Sequence, residues 1–488
     1  MRSNSRVLLA QSNMLKNDSK QLRKMQPYPP LATIQAAATL RETGFDVALY
    51  DPTFDENLDS FSDILKKFKP DVFIVYEDYF NFITKMCLGH MRQTAQQMCR
   101  TARSFGASTI AASPDTTDHP LPYLRDSADY VLIGEADHTV LELCQSLAEG
   151  SDPLKAGIPG VAGISPEGEI IKNKKRALEK DLSKFPLPAW DLIEIEPYRQ
   201  AWQKRHGYFS LNMVSSRGCP HSCNWCAKPI WGQHFVQRPP ELVAEELTWL
   251  RKNFKPDHVW FADDNFGCSE SWLKGFNAAL KTNGSITPYT VQSRADHLNP
   301  AVISGLKESG CSEVWLGAES GSQKILNAMD KSLDLEEIKK AVSNLKAAGI
   351  KVCLFLQFGY PGEVWEDIHA SVQLIRVTFP DNIGVSVTYP LPGTPLYYKV
   401  KKSMGEKTHW DDSDDLDMLF QGAYTTPFYK KLHQVLHAEL KLRHLAAGGK
   451  INNKEEGELW SEVMSGWMEL GMMEASHRRT IPKSAEEA

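Results

Sequence analysis

The chain has 488 residues, which is too long for one hydrophobic core, so we expect two or three domains. Hydrophobic residues at 42% and charged residues at 24% are ordinary for a soluble globular protein. A net charge of −6 and a pI near 6.2 exclude strong electrostatic attraction to nucleic acid or to an anionic membrane. The apolar run at residues 7–10 is too short for a signal peptide, and no run reaches the roughly 20 residues of a membrane span.

Nine cysteines, an odd number, favour a reducing compartment over a disulfide framework. Six are scattered, most of them in apolar or helical surroundings where buried free thiols are expected: Cys87, Cys99, Cys144, Cys268, Cys311 and Cys353. We therefore predict a cytoplasmic protein that has no membrane span and no nucleic-acid partner.

The first 150 residues alternate short apolar segments with helical patterns. The predicted strands are residues 6–10, 46–51, 71–76, 108–113 and 130–134. The predicted helices are residues 31–43, 57–68, 84–105 and 137–149. This α/β alternation is typical of a doubly wound, flavodoxin-like parallel sheet covered on both faces. Ligands of such sheets bind beyond the carboxyl ends of the strands, and no glycine-rich phosphate motif points to a nucleotide.

Residues 151–205 are predicted to be a linker, whose basic run at 172–176 is a solvated face. A second alternating series follows at 206–400. Its predicted strands are 209–216, 258–262, 289–293, 313–318, 351–358 and 382–389. Its predicted helices are 239–253, 270–283, 299–309, 322–329, 334–348 and 364–379. Six such units predict a partial, TIM-like (β/α)6 barrel, whose chemistry lies on the loops at the carboxyl ends of the strands.

The tail, 401–488, has an acidic segment at 409–420 and two predicted helices at 427–446 and 455–473. The first helix carries an apolar stripe of Phe428, Leu432, Val435, Leu436 and Leu440. The second carries Trp460, Met464, Trp467 and Met468. We expect both stripes to pack as core, with a lid over an apolar substrate as the alternative.

Cys219, Cys223 and Cys226 are spaced C-x3-C-x2-C on the loop that leaves the first barrel strand. A structural zinc site needs four ligands, so His221 or His234 would have to complete it. Three unrelated buried thiols are a second alternative. Soft thiolates select iron–sulfur clusters, and a cubane held by three of them leaves one iron open to an exogenous ligand.

The motif, with Trp225 before its last cysteine, resembles the signature of the radical S-adenosylmethionine (SAM) superfamily, and residues 215–232 resemble its cobalamin-dependent branch. Five further segments fall at the ends of predicted strands in the family order: 261–266, 292–296, 317–322, 358–363 and 389–397. Two segments, 28–52 and 128–147, resemble the cobalamin-binding domain of that branch. The likeness spans about 1–400 and 422–440, and it implies a cobalamin-binding domain at 1–150 and a radical SAM barrel at 206–400.

The resemblance implies that Cys219, Cys223 and Cys226 bind three irons of an oxygen-sensitive 4Fe–4S cluster. The fourth iron would bind SAM, whose reductive cleavage gives a 5′-deoxyadenosyl radical. The implied SAM contacts are Trp225, Asp263, Asp264, Asn265, Arg294, Glu319, Ser320, Gln357 and Gly359. Each of them could instead be a satisfied structural polar group or a turn residue.

The resemblance also implies cobalamin in the crevice at the carboxyl edge of the first sheet. The expected contacts are Gln11, Ser12, Asn13, Met14, Tyr76, Glu77, Ser113, Pro114, Gly134 and Glu135. The D-x-H-x-x-G motif that supplies a histidine to cobalt in many cobalamin domains is absent, so we expect cobalamin without a protein histidine ligand. A domain that has lost cobalamin is the alternative.

The reaction implied first is methylation of an unactivated carbon of a small molecule. The alternative is oxidative cyclisation or rearrangement, as in anaerobic Mg-protoporphyrin ester cyclase, and a non-catalytic corrinoid- or metal-binding protein is a third hypothesis. An electron donor such as flavodoxin or ferredoxin is implied. Trp231, Trp260 and Trp315 are compatible with a large apolar substrate such as a tetrapyrrole or lipid, and core packing explains them equally well.

Overall fold

The computed structural model describes residues 5–80, 89–226, 230–284, 286–404, 416–449 and 453–477. Three predicted features lie wholly or partly outside these ranges. They are Cys87, residues 84–88 of the predicted helix 84–105, and residues 409–415 of the acidic segment.

A seven-stranded sheet occupies the amino-terminal part of the chain. Its strands are β1 (Arg6–Ala10), β2 (Asp46–Tyr50), β3 (Val72–Tyr76), β4 (Ser108–Ala112), β5 (Tyr130–Leu132), β6 (Val161–Ile164) and β7 (Ile170–Lys172). The order is β2-β1-β3-β4-β5-β6-β7, and β1 to β5 pair in parallel. The predicted α/β fold is thus confirmed, with the flavodoxin-like order and its switch point between β1 and β3.

Helices cover both faces of this sheet. They are Ser19–Lys24, Leu31–Glu42, Asp59–Phe68, Gly89–Ser104, Pro114–Asp118, Pro120–Asp126 and Asp137–Ala148. On one face Leu9 packs in a core with Ile34, and on the other Leu8 packs with Phe61. Successive side chains of β1 therefore pack into two separate hydrophobic cores, one on each face of the sheet.

Part of the predicted linker belongs to the sheet. The strands β6 and β7 pair antiparallel and extend the sheet beyond β5. A tight turn joins them, where the Gly168 amide donates to the Ser165 carbonyl and Gly168 has φ of 86°. The prediction of a plain linker missed this hairpin because its two strands are only four and three residues long.

A second sheet and a short hairpin follow. The strands are β8 (Ser210–Met213), β9 (Ser216–Gly218), β10 (Phe235–Gln237), β11 (His258–Phe261), β12 (Tyr289–Ser293), β13 (Cys311–Glu319), β14 (Lys351–Phe358) and β15 (Asn382–Val387). The six parallel strands lie in the order β15-β14-β13-β12-β11-β8, and β9 pairs with β10 alone. The predicted six-unit partial barrel is confirmed.

Helices lie before and between these strands and after the last one. They are Ile195–His206, Pro240–Asn253, Glu270–Asn283, Pro300–Ser309, Gln323–Ala328, Leu335–Ala347, Trp365–Thr378 and Pro395–Val400. Short 3-10 turns lie at Leu15–Asn17, Leu182–Lys184, Trp190–Leu192, Ala295–His297 and Lys401–Ser403.

Two long helices, Thr426–Ala447 and Asn453–His477, make up most of the described part of the tail. The stripe of the first helix is core as predicted, with Phe428 and Leu432 both at 0% exposure. The second stripe is not core as a whole, because Met464 and Met468 are 54% and 66% exposed. None of the described helices has the length and apolar character needed to cross a lipid bilayer.

Candidate active site

The three-cysteine loop begins where the hairpin ends. Cys219 follows Gly218, the last residue of β9, and all three thiol-bearing residues are half-buried. Gly218 has φ of 74°, and a Cβ there would lie 2.1 Å from the His234 carbonyl oxygen. Only glycine fits this conformation and this approach, so the sequence G-C-P is needed to turn the chain into the loop.

Asp263 supports the approach to the loop. Its carboxylate accepts bonds from the Ser215 amide at 3.1 Å, from the Ser215 hydroxyl at 2.8 Å and from the Ser216 hydroxyl. Burial raises the pKa of Asp263 to about 6, although these bonds act in the opposite direction. The carboxylate therefore holds the chain just before the cysteines, and its neighbour Asp264 is half-buried.

Asn224 ties the middle of the loop to the barrel. Its side-chain amide donates to the Ala328 carbonyl at 2.8 Å and to Asp330 at 2.9 Å, and its oxygen accepts from the Tyr360 hydroxyl at 2.9 Å. Trp225 packs on the core, but its buried Nε1 has no hydrogen-bond partner. The sequence did not indicate Asn224 as a site residue, because a single loop asparagine carries no signal by itself.

Arg294 lies against the thiols. Its guanidinium is 3.8 Å from the Cys223 sulfur and donates to the Lys331 carbonyl at 2.8 Å. It also donates two hydrogen bonds to the Asp296 carboxylate, both of 3.0 Å. The half-buried loop thus has a cation beside its middle thiol.

Two histidines meet beside the loop. The Nε2 atoms of His221 and His297 are 3.0 Å apart, and the Asn265 amide nitrogen is 3.3 Å from His297 Nδ1. Ligand atoms of His221, Asp296 and His297 lie within 4.8 Å of one another, so these three residues could hold a cation. The zinc alternative named His221 or His234, but His221 Nε2 contacts a histidine and His234 is exposed.

A fourth cysteine comes close in space. Burial raises the pKa of the Cys268 thiol to about 12, and the charge of Cys219 acts in the same direction. The Cys268 sulfur donates to the Asn265 carbonyl at 3.4 Å. This proximity was not visible in the sequence, because Cys268 follows a different strand, β11.

The ends of β13 and β14 complete the carboxyl edge. Glu319, at φ of 61°, pairs with Lys331 at 2.9 Å, and Ser320 accepts from the Ser322 amide at 3.1 Å. Gln357 is 3% exposed and its Oε1 has no hydrogen-bond partner. At Gly359, with φ of 79°, a Cβ would lie 3.0 Å from the Met418 sulfur in the tail.

The site fits a cluster and SAM on two counts. Three half-buried thiols lie on one loop beside a cation, which is the donor set for iron–sulfur ligation. Three buried polar atoms at the same edge lack partners among the described residues: Asn265 Oδ1, Gln357 Oε1 and Trp225 Nε1. Buried acceptors without donors are rare in native proteins, so these oxygens suit the ammonium and hydroxyl groups of a ligand such as SAM.

The predicted cobalamin contacts lie together at the carboxyl edge of the first sheet, and most are already paired. Gln11 bonds Asn13, Asp51 and Thr53, while Ser12 donates to Glu77. Burial raises the pKa of Glu77 to about 7. Met14 is buried, Tyr76 bonds Tyr79 at 3.1 Å, and Ser113 caps the helix that Pro114 begins. At Gly134, with φ of 79°, a Cβ would contact Lys175 Cε at 3.8 Å, an ordinary van der Waals distance.

Glu135 connects this edge to the three-cysteine loop. Its carboxylate accepts from Arg217 at 2.5 Å, from Trp231 Nε1 at 3.3 Å and from the Glu179 amide at 2.7 Å. Arg217 also binds Asp137, which accepts from the Tyr79 hydroxyl at 2.7 Å. Arg217 was not singled out from the sequence, although it stands two residues before Cys219.

Comparison with known proteins gives the class of this architecture. Residues 213–375 match the radical SAM superfamily. An uncharacterized methyltransferase of Pyrococcus horikoshii is 25% identical over 400 residues, covering 80% of this chain and 82% of that protein. The anaerobic magnesium-protoporphyrin IX monomethyl ester cyclase of Synechocystis is 24% identical over 334 residues, covering 66% of this chain and 63% of that one.

A solved structure has the same fold. The radical SAM methyltransferase TsrM of Kitasatospora setae, with cobalamin and a 4Fe–4S cluster bound, superposes with a TM-score of 0.67 at 18% identity. The match covers 83% of this chain and 76% of TsrM. A partial barrel beside a flavodoxin-like sheet is thus a fold that this chain shares with TsrM. The family match covers residues 213–375, which confirms for the barrel the resemblance that its motifs indicate.

Proposed function

We propose that this protein is a cobalamin-dependent radical SAM enzyme that methylates an unactivated carbon of a small molecule. The observation that carries the proposal is the loop of Cys219, Cys223 and Cys226 at the carboxyl edge of six parallel strands. The methyltransferase names of relatives and the fold of TsrM support methylation as the reaction.

The reaction balances with two electrons and two molecules of SAM. One SAM accepts an electron and the substrate hydrogen and leaves as methionine and 5′-deoxyadenosine. The second SAM gives its methyl group, which reaches the substrate carbon together with the other electron. This SAM leaves as S-adenosylhomocysteine. When bound, the cluster passes on the electron and the corrinoid carries the methyl group. A donor of the flavodoxin or ferredoxin class would supply both electrons.

The protein positions these partners. Asp263 and Asn224 hold the loop from two sides, Arg294 faces Cys223, and the acceptors of Asn265 and Gln357 are available to SAM. A rigid scaffold of this kind contributes by orienting reactants and excluding water. The roles of these residues toward SAM are part of the proposal.

Cobalamin is proposed for the crevice beside β1 and β3, where a flavodoxin-like sheet binds its ligand. The bound corrinoid of TsrM, which shares the fold, supports it. We infer that no histidine binds the cobalt. Two described histidines near this edge are paired, His119 with Asp115 at 3.0 Å and His138 with Glu179 at 3.0 Å.

The test uses the full chain, reconstituted anaerobically with iron, sulfide and hydroxocobalamin. It is then incubated with methyl-labelled SAM and a strong reductant. We expect 5′-deoxyadenosine and labelled methylcobalamin, both measured by chromatography with mass detection. Cys223→Ala should abolish 5′-deoxyadenosine and lower the iron content while corrinoid binding persists. Cys268→Ala is the matched control and should retain the iron, because that thiol donates to a carbonyl.

Persistent 5′-deoxyadenosine from Cys223→Ala, or zinc in place of iron, would contradict the proposal.

The match to the Synechocystis cyclase favours oxidative cyclisation as the second candidate. Formation of 5′-deoxyadenosine without labelled methylcobalamin would support that candidate instead. We further infer a cytoplasmic location, supported by the lack of disulfides among the eight described cysteines.

A further inference from the structure

The six-stranded sheet has two faces of different character. Side chains alternate between the faces along each strand, and register partners share a face. The helix-covered face is aliphatic and wholly buried, with 0% exposure at Leu211, Val259, Val291, Val314 and Leu354. The opposite face carries five half-buried side chains, which we call the inner wall: Trp260, Gln292, Trp315, Phe355 and Ser386. Other inward side chains, such as Asn212 and Cys353, are buried, and the Trp260 ring packs against Tyr28. The partly exposed rings of Trp315 and Phe355 leave aromatic surface on which a ligand can pack.

Two rings of the inner wall stack on each other. Those of Trp315 and Phe355 stack with centroids 4.7 Å apart and planes 28° apart. The neighbouring strand carries Gly384, where a Cβ would lie 2.9 Å from Phe355 and 3.2 Å from Trp315. The missing side chain thus lets both rings lie flat across β15. A half-exposed aromatic stack can be extended by another planar ring on its outer face.

A buried polar atom beside the rings is an acceptor. Asn212 is the register partner of Trp260, and its amide nitrogen donates to the Pro29 carbonyl at 3.0 Å. This bond identifies the other terminal atom as oxygen, and that oxygen is buried without a partner. This oxygen lacks a donor among the described residues, and a ligand with N–H or O–H groups would provide one.

The inner wall has no cation to neutralise an anion. Glu313, on the same face, is a carboxylate that accepts from Trp315 Nε1 at 2.8 Å. At inward positions of the six strands, all of which are described, the only cation is Lys351, which is exposed at the first residue of β14. The nearest cations of the carboxyl edge are paired, Arg294 with Asp296 and Lys331 with Glu319. A phosphate or carboxylate against the rings would therefore lose its hydration without gaining a cation to neutralise its charge.

We propose that the inner wall binds a planar, conjugated ring compound that is uncharged over its ring plane and carries N–H or O–H donors at its rim. The proposal names the substrate class of the proposed function and rests on that function. A ring stacked on Trp315 and Phe355 would extend toward the ends of β13 and β14, the edge where the thiols lie. Stacking geometry selects a flat ring over an alkyl chain of similar area.

Binding of three probes to the anaerobically reconstituted full chain tests this. The probes are carbazole-3-carboxamide, which is planar and neutral with donors, carbazole-3-carboxylate, and the aliphatic decanamide. Calorimetry should give the tightest binding for the neutral carbazole. Trp315→Leu should weaken its binding about fivefold by removing one stacked ring. Gly384→Ala should weaken it similarly by displacing both rings. Trp249→Leu, a half-buried tryptophan on the outer helix Pro240–Asn253, is the control and should bind like the wild type.

Equal binding of decanamide or of the carboxylate would overturn the proposal, as would unchanged carbazole binding in folded Trp315→Leu and Gly384→Ala proteins. Cleavage of SAM is measured separately on the same preparations. A wild type that binds the neutral carbazole selectively but makes no 5′-deoxyadenosine would overturn the proposed function alone. A wild type that cleaves SAM but does not discriminate among the probes would overturn the substrate class alone.

Discussion

Arg217 donates to Glu135 at 2.5 Å, across the boundary between the two sheets. The same guanidinium meets Asp137 at 3.0 Å, and the arginine and both carboxylates are buried, at 6%, 2% and 0% exposure. The central guanidinium carbon, Cζ, also lies 4.4 Å from the centre of the Phe185 ring. Because Cys219 is two residues away, this cation fixes the three-cysteine loop to the carboxyl edge of the first sheet.

The first prediction concerns this cation. Arg217→Met should lower the free energy of unfolding by about 3–5 kcal/mol, because it leaves two buried carboxylates without a counter-charge. Urea unfolding of the full chain measures the loss. Arg41→Met is the matched control, since the Arg41–Asp191 pair has 41% and 60% exposed side chains and should cost less than about 1 kcal/mol. Equal losses in the two variants would show that Arg217 does not join the sheets.

The second prediction concerns the turn into the cysteine loop. Gly218→Ala should prevent cluster incorporation, because its Cβ would meet the His234 carbonyl oxygen at 2.1 Å. Iron and sulfide content after reconstitution measures this. Gly207→Ala is the control, because Gly207 also has a positive φ, 78°, but a Cβ there would meet nothing within 4 Å. It should keep its iron at a cost of roughly 1–2 kcal/mol in stability. Normal iron content in Gly218→Ala would refute the close approach.

Much of the architecture could be predicted from sequence because it depends on local patterns. The strands of both sheets are short apolar runs, and the cysteines signal their site by spacing alone. The hairpin of β6 and β7 could not be predicted, since strands of four and three residues gain their stability from the edge of β5. The exposed Met464 and Met468 were misjudged because a helical stripe does not reveal whether another element covers it.

The partners of site residues were harder to predict than their positions. Asp263 follows a barrel strand as expected, yet its oxygens are bound to Ser215 and Ser216, which are separated from it by almost fifty residues. Glu135 was expected at the crevice, and the structure pairs it with Arg217 of the barrel. Long-range pairs of this kind leave no periodic signal in a single sequence.

The third prediction concerns the docking of the tail. Glu439, which is 4% exposed, accepts from Arg376 at 2.7 Å, from Arg443 at 2.8 Å and from Trp467 Nε1 at 2.7 Å. Glu439→Leu should cost about 2 kcal/mol, since bonds to a charged group are lost while the arginines remain partly solvated. Thermal unfolding and protease cleavage of the tail measure the effect. Glu469→Leu removes the exposed pair with Lys431 and should change stability by less than about 1 kcal/mol. If the tail resisted protease cleavage equally in both variants, Glu439 would not be what docks the tail.

The last prediction concerns pH. Burial raises the pKa of Glu363 from 4.5 to about 8, an effect strengthened by Asp367 and opposed by the bond from the Gly359 amide and by the charge of Lys324. Below pH 4.5 the carboxyl is protonated in both the folded and the unfolded chain, so its contribution to stability is fully present. As the pH rises toward 8, the unfolded chain loses this proton first, and stability falls by up to about 1.4 kcal/mol per pH unit.

Glu363→Gln should remove this part of the decline, because glutamine is neutral at every pH and keeps an oxygen for the Gly359 amide. The free energy of urea unfolding, measured between pH 4.5 and 8, gives the slope for each variant. Glu366→Gln, an exposed residue in the first turn of the next helix, should keep the wild-type slope. Since Glu77 and Asp263 titrate in the same range, the difference between the two variants isolates Glu363. If Glu363→Gln and Glu366→Gln gave the same slope, Glu363 would be charged in the folded protein and its buried environment would not be what holds its proton.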